Sequence, residues 1–113
     1  MKAVNQTTGK VLADKLQLKA SFFGRLKGLL GASGLGAGEG IILKPCAQIH
    51  TFFMRFAIDV IFISADFEVL HVIEAMKPWR LSPIFLKSLY TVEVAGGALK
   101  GAVKPGDRVV FTD

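Results

Sequence analysis

Short apolar runs, separated by turn residues, fill most of the chain after residue 40. The runs are rich in Val, Ile, Phe and Thr, which are residue types enriched in β-strands. They predict strands over 41–43, 48–54, 59–64, 67–75, 90–94 and 108–112. Two earlier runs, 2–5 and 11–18, bracket Thr8 and Gly9 and predict a first hairpin.

One run, 58–63, is apolar at both alternating sets of positions apart from Asp59. A sheet with one face in water would expose half of these side chains, so we expect this strand to be covered on both faces. Many short strands with one or two short helices predict a mostly β fold. This fold would be a β-sandwich or barrel-like single domain over residues 1–113.

A helical pattern precedes a glycine-rich segment. The apolar residues at the helical spacing i, i+4, i+7 and i+8 are Phe22, Leu26, Leu29 and Leu30. Ser21 is suited to cap the start of this helix, and Gly31 is suited to end it. The next segment, 31–40, has the sequence GASGLGAGEG. We expect it to be mobile, and to connect helix to strand rather than to form a lid over a site.

Composition narrows the class of protein. The chain has 113 residues, 51% of them hydrophobic, and Cys46 is its one cysteine. A single cysteine cannot form a disulfide within the chain, which fits a reducing compartment. No apolar run reaches the ~20 residues of a membrane span, and residues 1–17 lack the apolar stretch of a signal peptide. We therefore expect an unexported, cytoplasmic protein without a membrane span.

The net charge of +5 lies entirely near the start of the chain. Residues 1–30 carry six basic side chains and one acidic side chain, whereas residues 31–113 carry eight of each. Such a basic region can attract nucleic acid or an anionic surface. Few aromatic residues interleave with these charges, and base stacking needs exposed rings, so the pattern does not favour nucleic acid as the partner.

Ionisable residues inside the apolar runs are the first candidates for function, and they include His50, Asp59 and Glu93. A buried carboxylate without a partner destabilises the fold or shifts its own pKa. Asp59 is therefore expected to bind a backbone N–H group, His50 or an arginine. We favour Arg55 or Arg80, because a guanidinium suits a buried carboxylate.

His50 is the natural candidate for acid–base chemistry, because imidazole titrates near neutral pH. Trp79 and Arg80 follow Pro78 and could hold a carboxylate or a sugar, although an apolar plug beside a salt bridge is the simpler interpretation. Cys46 and His50 would stand about 13 Å apart on an extended strand. That separation is too long for a shared ion, so no metal is expected. Phosphate-loop and dinucleotide motifs are absent, so no cofactor is expected.

The run 46–63, CAQIHTFFMRFAIDVIFI, is followed in order by KPWRLSP, VEVAGG and KPGDRVVF. Over roughly residues 20–113 this pattern resembles an uncharacterised prokaryotic family, domain of unknown function 192. The positions that match its motifs are His50, Met54, Asp59, Arg80, Glu93, Gly97, Gly106 and Asp107. Phe67 stands where the family has a hairpin glycine, so we expect that turn to be built differently. The resemblance implies a compact, mostly β, sandwich- or barrel-like domain and no established reaction.

The first functional hypothesis is a module that binds a small polar or carbohydrate-like ligand. The residues expected at its concave surface are His50, Asp59, Arg80 and Glu93, with Trp79 as an apolar wall. The alternative is a small hydrolase or isomerase, with Asp59 or Glu93 as its base and His50 as its acid. In that enzyme Arg80 would hold an anion. A third hypothesis is association of the basic N-terminal region with nucleic acid or an anionic surface, and the sequence leaves the oligomeric state open.

Overall fold

This computed structural model contains two β-sheets and one short helix. The structure describes the backbone of residues 1–113 and every side chain except those of Phe22 and Leu26. The helix, α1, is Phe22–Lys27, and the strands are β1 (Lys2–Asn5), β2 (Lys10–Ala13), β3 (Lys15–Lys19), β4 (Glu39–Leu43), β5 (Ile58–Ser64), β6 (Val69–Met76), β7 (Ser88–Ala95) and β8 (Val109–Thr112). The predicted mostly β fold with a short helix is confirmed.

The strands divide into a three-stranded sheet of order β2-β1-β8 and a five-stranded sheet of order β3-β4-β7-β5-β6. Neighbouring strands are antiparallel except for β3 and β4, which run parallel. A parallel pair needs a crossover connection, and α1 with the glycine-rich segment supplies it. Strands β7 and β5 lie inside the larger sheet, with a neighbour on each side.

Both faces of the five-stranded sheet carry a packed apolar cluster. On one face, the first cluster joins Ile42 and Val92 to Ala3 of the smaller sheet. On the opposite face, the second cluster joins Val60 to Met54 and to other residues outside the strands. Strand β5 is therefore buried on both faces, as the sequence predicts.

Asp59 is buried in β5, and its partners are backbone N–H groups. Its Oδ1 accepts hydrogen bonds from Ala75 at 2.7 Å and Gly97 at 3.0 Å. Its Oδ2 accepts one from Leu99 at 3.0 Å. The preference for an arginine partner was wrong, because three converging backbone donors already satisfy the carboxylate.

Asp107 ties the end of the chain to its beginning. Its Oδ2 accepts hydrogen bonds from the Asn5 side chain at 2.9 Å and from the Lys104 backbone at 3.0 Å. Asn5 also donates to the carbonyl of Ala102 at 3.0 Å. Gly106, at the turn beside this network, has a φ of 91°, which a glycine adopts without strain.

Helix α1 ends earlier than the sequence predicts. Ser21 caps its start by accepting the Gly24 N–H at 2.9 Å, as expected. Its C-terminal cap is Gly28, with a φ of 47°, rather than Gly31. The predicted apolar face falls partly on Phe22 and Leu26, whose side chains lie outside the described part of the structure.

The glycine-rich loop is shorter than expected, and one predicted strand divides in two. Strand β4 begins at Glu39, inside the segment expected to be a loop. The carbonyl of Gly38 accepts the N–H groups of Asp14 and Lys15 at 3.1 and 2.8 Å. At this point the predicted strand 11–18 breaks, so that β2 pairs in one sheet and β3 in the other.

Two further sequence expectations differ from the structure. The predicted strand 48–54 is irregular, and His50 makes an isolated bridge with Leu81. The turn at Phe67 was expected to differ from one built on glycine. Phe67 has a φ of 66°, which is the left-handed backbone conformation that a glycine would adopt there, so that expectation was wrong. Stacking of the Phe67 ring on Tyr90, at 5.3 Å between centroids, offsets the strain of that conformation.

Candidate functional site

A cavity of about 310 Å³ lies between the end of α1, the segment 45–50 and strand β7. Its apolar lining includes Leu29, Leu30, Leu43, Ile49 and Met54. Its polar lining includes Arg25, Cys46, Gln48, His50 and Glu93. A volume of this order is at the lower end of the range for small-molecule sites.

Glu93 brings a buried carboxyl group to this cavity. It pairs across the backbone with Ile41 of β4 and Val60 of β5, so its side chain shares their face of the sheet. The residue is 4% exposed. Burial raises the pKa of Glu93 to about 7, and no hydrogen bond from a described residue opposes this. Near neutral pH the carboxyl group therefore exchanges between charged and protonated forms.

Arg25 brings a donor to the same cavity. Its Nη1 donates to the carbonyl of Pro45 at 3.3 Å. Its buried Nε has no hydrogen-bond partner among the described residues. The carboxyl group of Glu93, which has no hydrogen bond from a described residue, therefore lines the same cavity as the guanidinium group of Arg25.

Cys46 is fixed at the cavity wall by three hydrogen bonds. Its N–H donates to Leu89 at 3.1 Å, and its carbonyl accepts the Thr91 hydroxyl at 3.3 Å. Its thiol donates to the carbonyl of Gln48 at 3.3 Å. Burial raises the pKa of the Cys46 thiol, more than its hydrogen bonds lower it. The thiol is therefore protonated at neutral pH and is a weak nucleophile.

His50 lies exposed at the rim of the cavity. Its Nδ1 accepts the N–H of Phe52 at 3.2 Å, and its ring stacks on that of Phe52 with centroids 5.0 Å apart. These contacts fix the orientation of the imidazole. Its Nε2 has no partner among the described residues and is the ring atom left for a ligand.

The residues expected at one concave surface do not all meet. His50 and Glu93 line the same cavity. Asp59 is enclosed by backbone donors, as described above. Trp79 and Arg80 are exposed and are not part of the cavity lining.

Sequence reasoning missed Arg25 and Gln48 as cavity residues. Arg25 contributes to the basic N-terminal region, and no local pattern links it to Glu93. Their placement around one cavity depends on how α1 folds over the larger sheet. Gln48 could have been recognised from the sequence, because it lies two positions before His50 inside the longest motif run, 46–63.

Two further features of the described residues bear on the class of protein. Their side chains include no group of three or more His, Cys, Asp or Glu residues placed to hold a metal ion. No helix among them is long and apolar enough to cross a membrane. The chain is thus defined by a two-sheet, mostly β fold with a small cavity of mixed apolar and polar lining against the larger sheet.

Comparison with known proteins identifies the family. The model of the family DUF192, described as "Uncharacterized ACR", matches residues 3–111. The chain therefore belongs to the DUF192 family. The match begins earlier than the resemblance found over 20–113, so it includes the N-terminal hairpin.

Relatives and a solved structure agree with this assignment. A UPF0127 protein of Pyrococcus horikoshii is 42% identical over 111 residues, covering 94% of this chain and 95% of that protein. A UPF0127 protein of Thermococcus sibiricus is 32% identical over 100 residues, covering 85% of this chain but 64% of that protein. A Novosphingobium aromaticivorans protein of unknown function has a TM-score of 0.85 and 26% identity, covering 98% of this chain and 84% of that one.

Proposed function

We propose that the protein binds a small polar molecule in the cavity, with the carboxyl group of Glu93 and the guanidinium group of Arg25 as its main polar contacts. The observation that supports this is that Glu93, whose carboxyl group has no hydrogen bond from a described residue, shares the cavity lining with Arg25. A ligand that donates to Glu93 and accepts from Arg25 would satisfy both at once. Leu29, Ile49 and Met54 would contact its apolar part.

The small size of the cavity and the polar side chains in its lining favour a sugar, a polyol or an amino acid. Each of these carries hydroxyl or amino donors together with oxygen acceptors. The volume of about 310 Å³ limits the ligand to a small metabolite. His50, at the rim, would supply a third polar contact through Nε2.

A thermal-shift screen with monosaccharides, polyols and amino acids tests the proposal. Compounds that stabilise the wild-type protein should bind Glu93→Gln and Arg25→Gln about ten-fold more weakly or worse, because each variant loses a hydrogen bond to a charged group. Glu74→Gln, which alters an exposed glutamate on β6, is the matched control and should bind normally. Failure of every compound to stabilise the wild type, or equal binding by all three variants, would refute the proposal.

Acid–base catalysis in the same cavity is a second candidate. It is favoured by the pKa of Glu93, about 7, in a cavity shared with His50. Glu93 would be the base of a small hydrolase or isomerase, and His50 its acid. Incubation of a bound compound with the wild-type protein, followed by NMR of the compound, separates the two functions. Turnover that is lost in Glu93→Gln indicates an enzyme, whereas an unchanged compound indicates a binding module.

A further inference from the structure

Exposed apolar side chains follow two adjacent segments, 46–54 and 79–86. The segments lie side by side, because Ser82 donates to the carbonyl of Ile49 at 2.9 Å and Phe85 to that of Ala47 at 2.8 Å. The exposed side chains, here named the apolar ridge, are those of Phe52, Phe53, Trp79, Leu81, Ile84 and Leu86. Such a concentration is unusual for a surface that faces water alone.

Thr51, which is fully buried, holds the two segments together at the aromatic end of the ridge. Its hydroxyl donates to the backbone carbonyl of Lys77 at 2.6 Å and accepts the backbone N–H of Arg80 at 2.9 Å. Its carbonyl accepts the N–H of Trp79 at 3.0 Å. The aromatic residues therefore project from fixed loops.

Backbone strain accompanies the exposure of the two most prominent rings. Phe53 and Trp79 each have a φ of 65°, in the left-handed region that bulky residues avoid. Their rings lie 4.6 Å apart, and the residues are 72% and 56% exposed. Strain of this kind persists where the surrounding structure enforces it, and it concentrates at functional surfaces.

The charged side chains within the two ridge segments have one sign. Segments 50–56 and 76–87 contain no Asp or Glu. Their cations, all exposed, are Arg55, Lys77, Arg80 and Lys87. An apolar ridge with a basic border is complementary to a surface that is anionic outside and apolar beneath.

We propose that the apolar ridge docks onto the headgroup region of an anionic lipid bilayer. Trp79 and the phenylalanines would enter the interface, where aromatic side chains are favoured. The four cations would contact the anionic headgroups. The proposal rests on the ridge alone and is independent of ligand binding in the cavity.

The geometry of the rings favours lipid over single-stranded nucleic acid. Base stacking requires an open ring face. Here the Phe53 and Trp79 rings meet at 58° and Phe52 stacks on His50, so the rings cover one another. The aliphatic side chains of Leu81, Ile84 and Leu86 add contact area that suits acyl chains but cannot stack on bases.

Trp79, the single tryptophan of the chain, reports on docking directly. We expect its fluorescence to shift to the blue, and to be quenched by brominated lipid, with phosphatidylcholine vesicles that contain roughly one-third phosphatidylglycerol. Vesicles of phosphatidylcholine alone should give a much smaller change. Soluble glycerol phosphate should give none, because it supplies the headgroup without the apolar layer.

Variants separate the ridge from the rest of the surface. Phe53→Asn should weaken vesicle binding about ten-fold while keeping the fold, because asparagine tolerates a positive φ. Arg80→Gln should weaken it about five-fold. The matched controls, Leu18→Ser for an exposed apolar residue and Lys10→Gln for an N-terminal cation, should bind as the wild type does.

The proposal would be overturned by an unchanged Trp79 spectrum with anionic vesicles, by equal losses in the control variants, by an equal response to glycerol phosphate, or by tighter binding to a single-stranded oligonucleotide. A protein that elutes as a dimer with Trp79 already shielded before lipid is added would also overturn it, since the ridge would then be a contact between copies. Circular dichroism of each variant confirms that the measured loss is not a loss of fold.

Discussion

At the scale of single residues, two buried carboxyl groups in one sheet have opposite surroundings. Asp59 accepts three backbone hydrogen bonds, whereas Glu93 accepts none from the described residues. A carboxylate with three donors fixes the backbone around it. A carboxyl group without them is destabilised in its charged form and is free to bind a ligand.

Asp59→Ala should destabilise the fold by about 3–5 kcal/mol, because it leaves three N–H donors without an acceptor. Asp59→Asn should lie between this variant and the wild type. Its amide oxygen can keep the donors from Ala75 and Gly97, but its NH₂ group would face the N–H of Leu99. Urea unfolding measures both, with Asp66→Asn as an exposed control. A wild-type midpoint for Asp59→Ala would contradict the observed network.

The raised pKa of Glu93 makes stability depend on pH in a defined direction. The pKa is about 7 in the folded protein and 4.5 for an ordinary glutamate, so the folded state binds the proton more tightly. The contribution to stability is complete below pH 4.5 and is lost as the pH rises through about 7. The total change is on the order of 3 kcal/mol.

Glu93→Gln should remove this dependence. Relative to the wild type, the variant should gain stability as the pH is raised from below 4.5 to above 7. Urea unfolding of both proteins across this range gives the difference, and Glu74→Gln controls for the loss of an exposed carboxyl group. A constant difference between wild type and Glu93→Gln at all pH values would show that Glu93 is solvated.

At the scale of secondary-structure elements, the close pairing of β4 with β7 determines where Glu93 lies. Gly40 of β4 lies opposite Val94 of β7. A Cβ atom at Gly40 would meet the Glu93 carbonyl and the side chains of Leu16 and Val94. The last glycine of the glycine-rich segment is therefore part of the sheet, and a side chain there would separate the two strands.

Gly40→Ala should destabilise the protein by about 1–3 kcal/mol, because the added methyl group overpacks the sheet. Gly34→Ala is the matched comparison within the same segment, since a Cβ atom at Gly34 meets open space. That variant should be neutral or stabilising by up to about 1 kcal/mol. Equal effects in thermal unfolding would show that the segment is uniformly a loop.

The central strands could be predicted from sequence because their pattern is local. The run over 59–64 differs from β5 by one residue, and its burial on both faces follows from its composition. The run 11–18 was wrongly predicted as one strand, because its break at Asp14 depends on the distant Gly38 carbonyl. Similarly, the sequence identifies Asp59 and Glu93 alike as buried acids. It cannot show which one receives donors from the turn after β7.

At the scale of the whole molecule, the cavity is a consequence of the crossover between β3 and β4. The crossover brings α1 over the face of the larger sheet that β7 supplies with Glu93. The motif segment 45–50 closes the other side. No motif in the sequence combines the three, because each comes from a different part of the chain. The family resemblance predicted the fold, because it aligns the motif residues with those of a known family. It did not define the site, because an alignment does not give the contacts between side chains.

The central claim is that Glu93 presents an unsatisfied carboxyl group to a ligand cavity. The most direct test is a ¹³C NMR titration of the glutamate side-chain carboxyl carbons, with Glu93→Gln used to assign the resonance. We predict a midpoint of about 7 for Glu93 in the free protein. A ligand that donates to the carboxylate should lower that midpoint. A midpoint near 4.5, the ordinary value, would show that Glu93 is solvated or already paired, and would contradict the account.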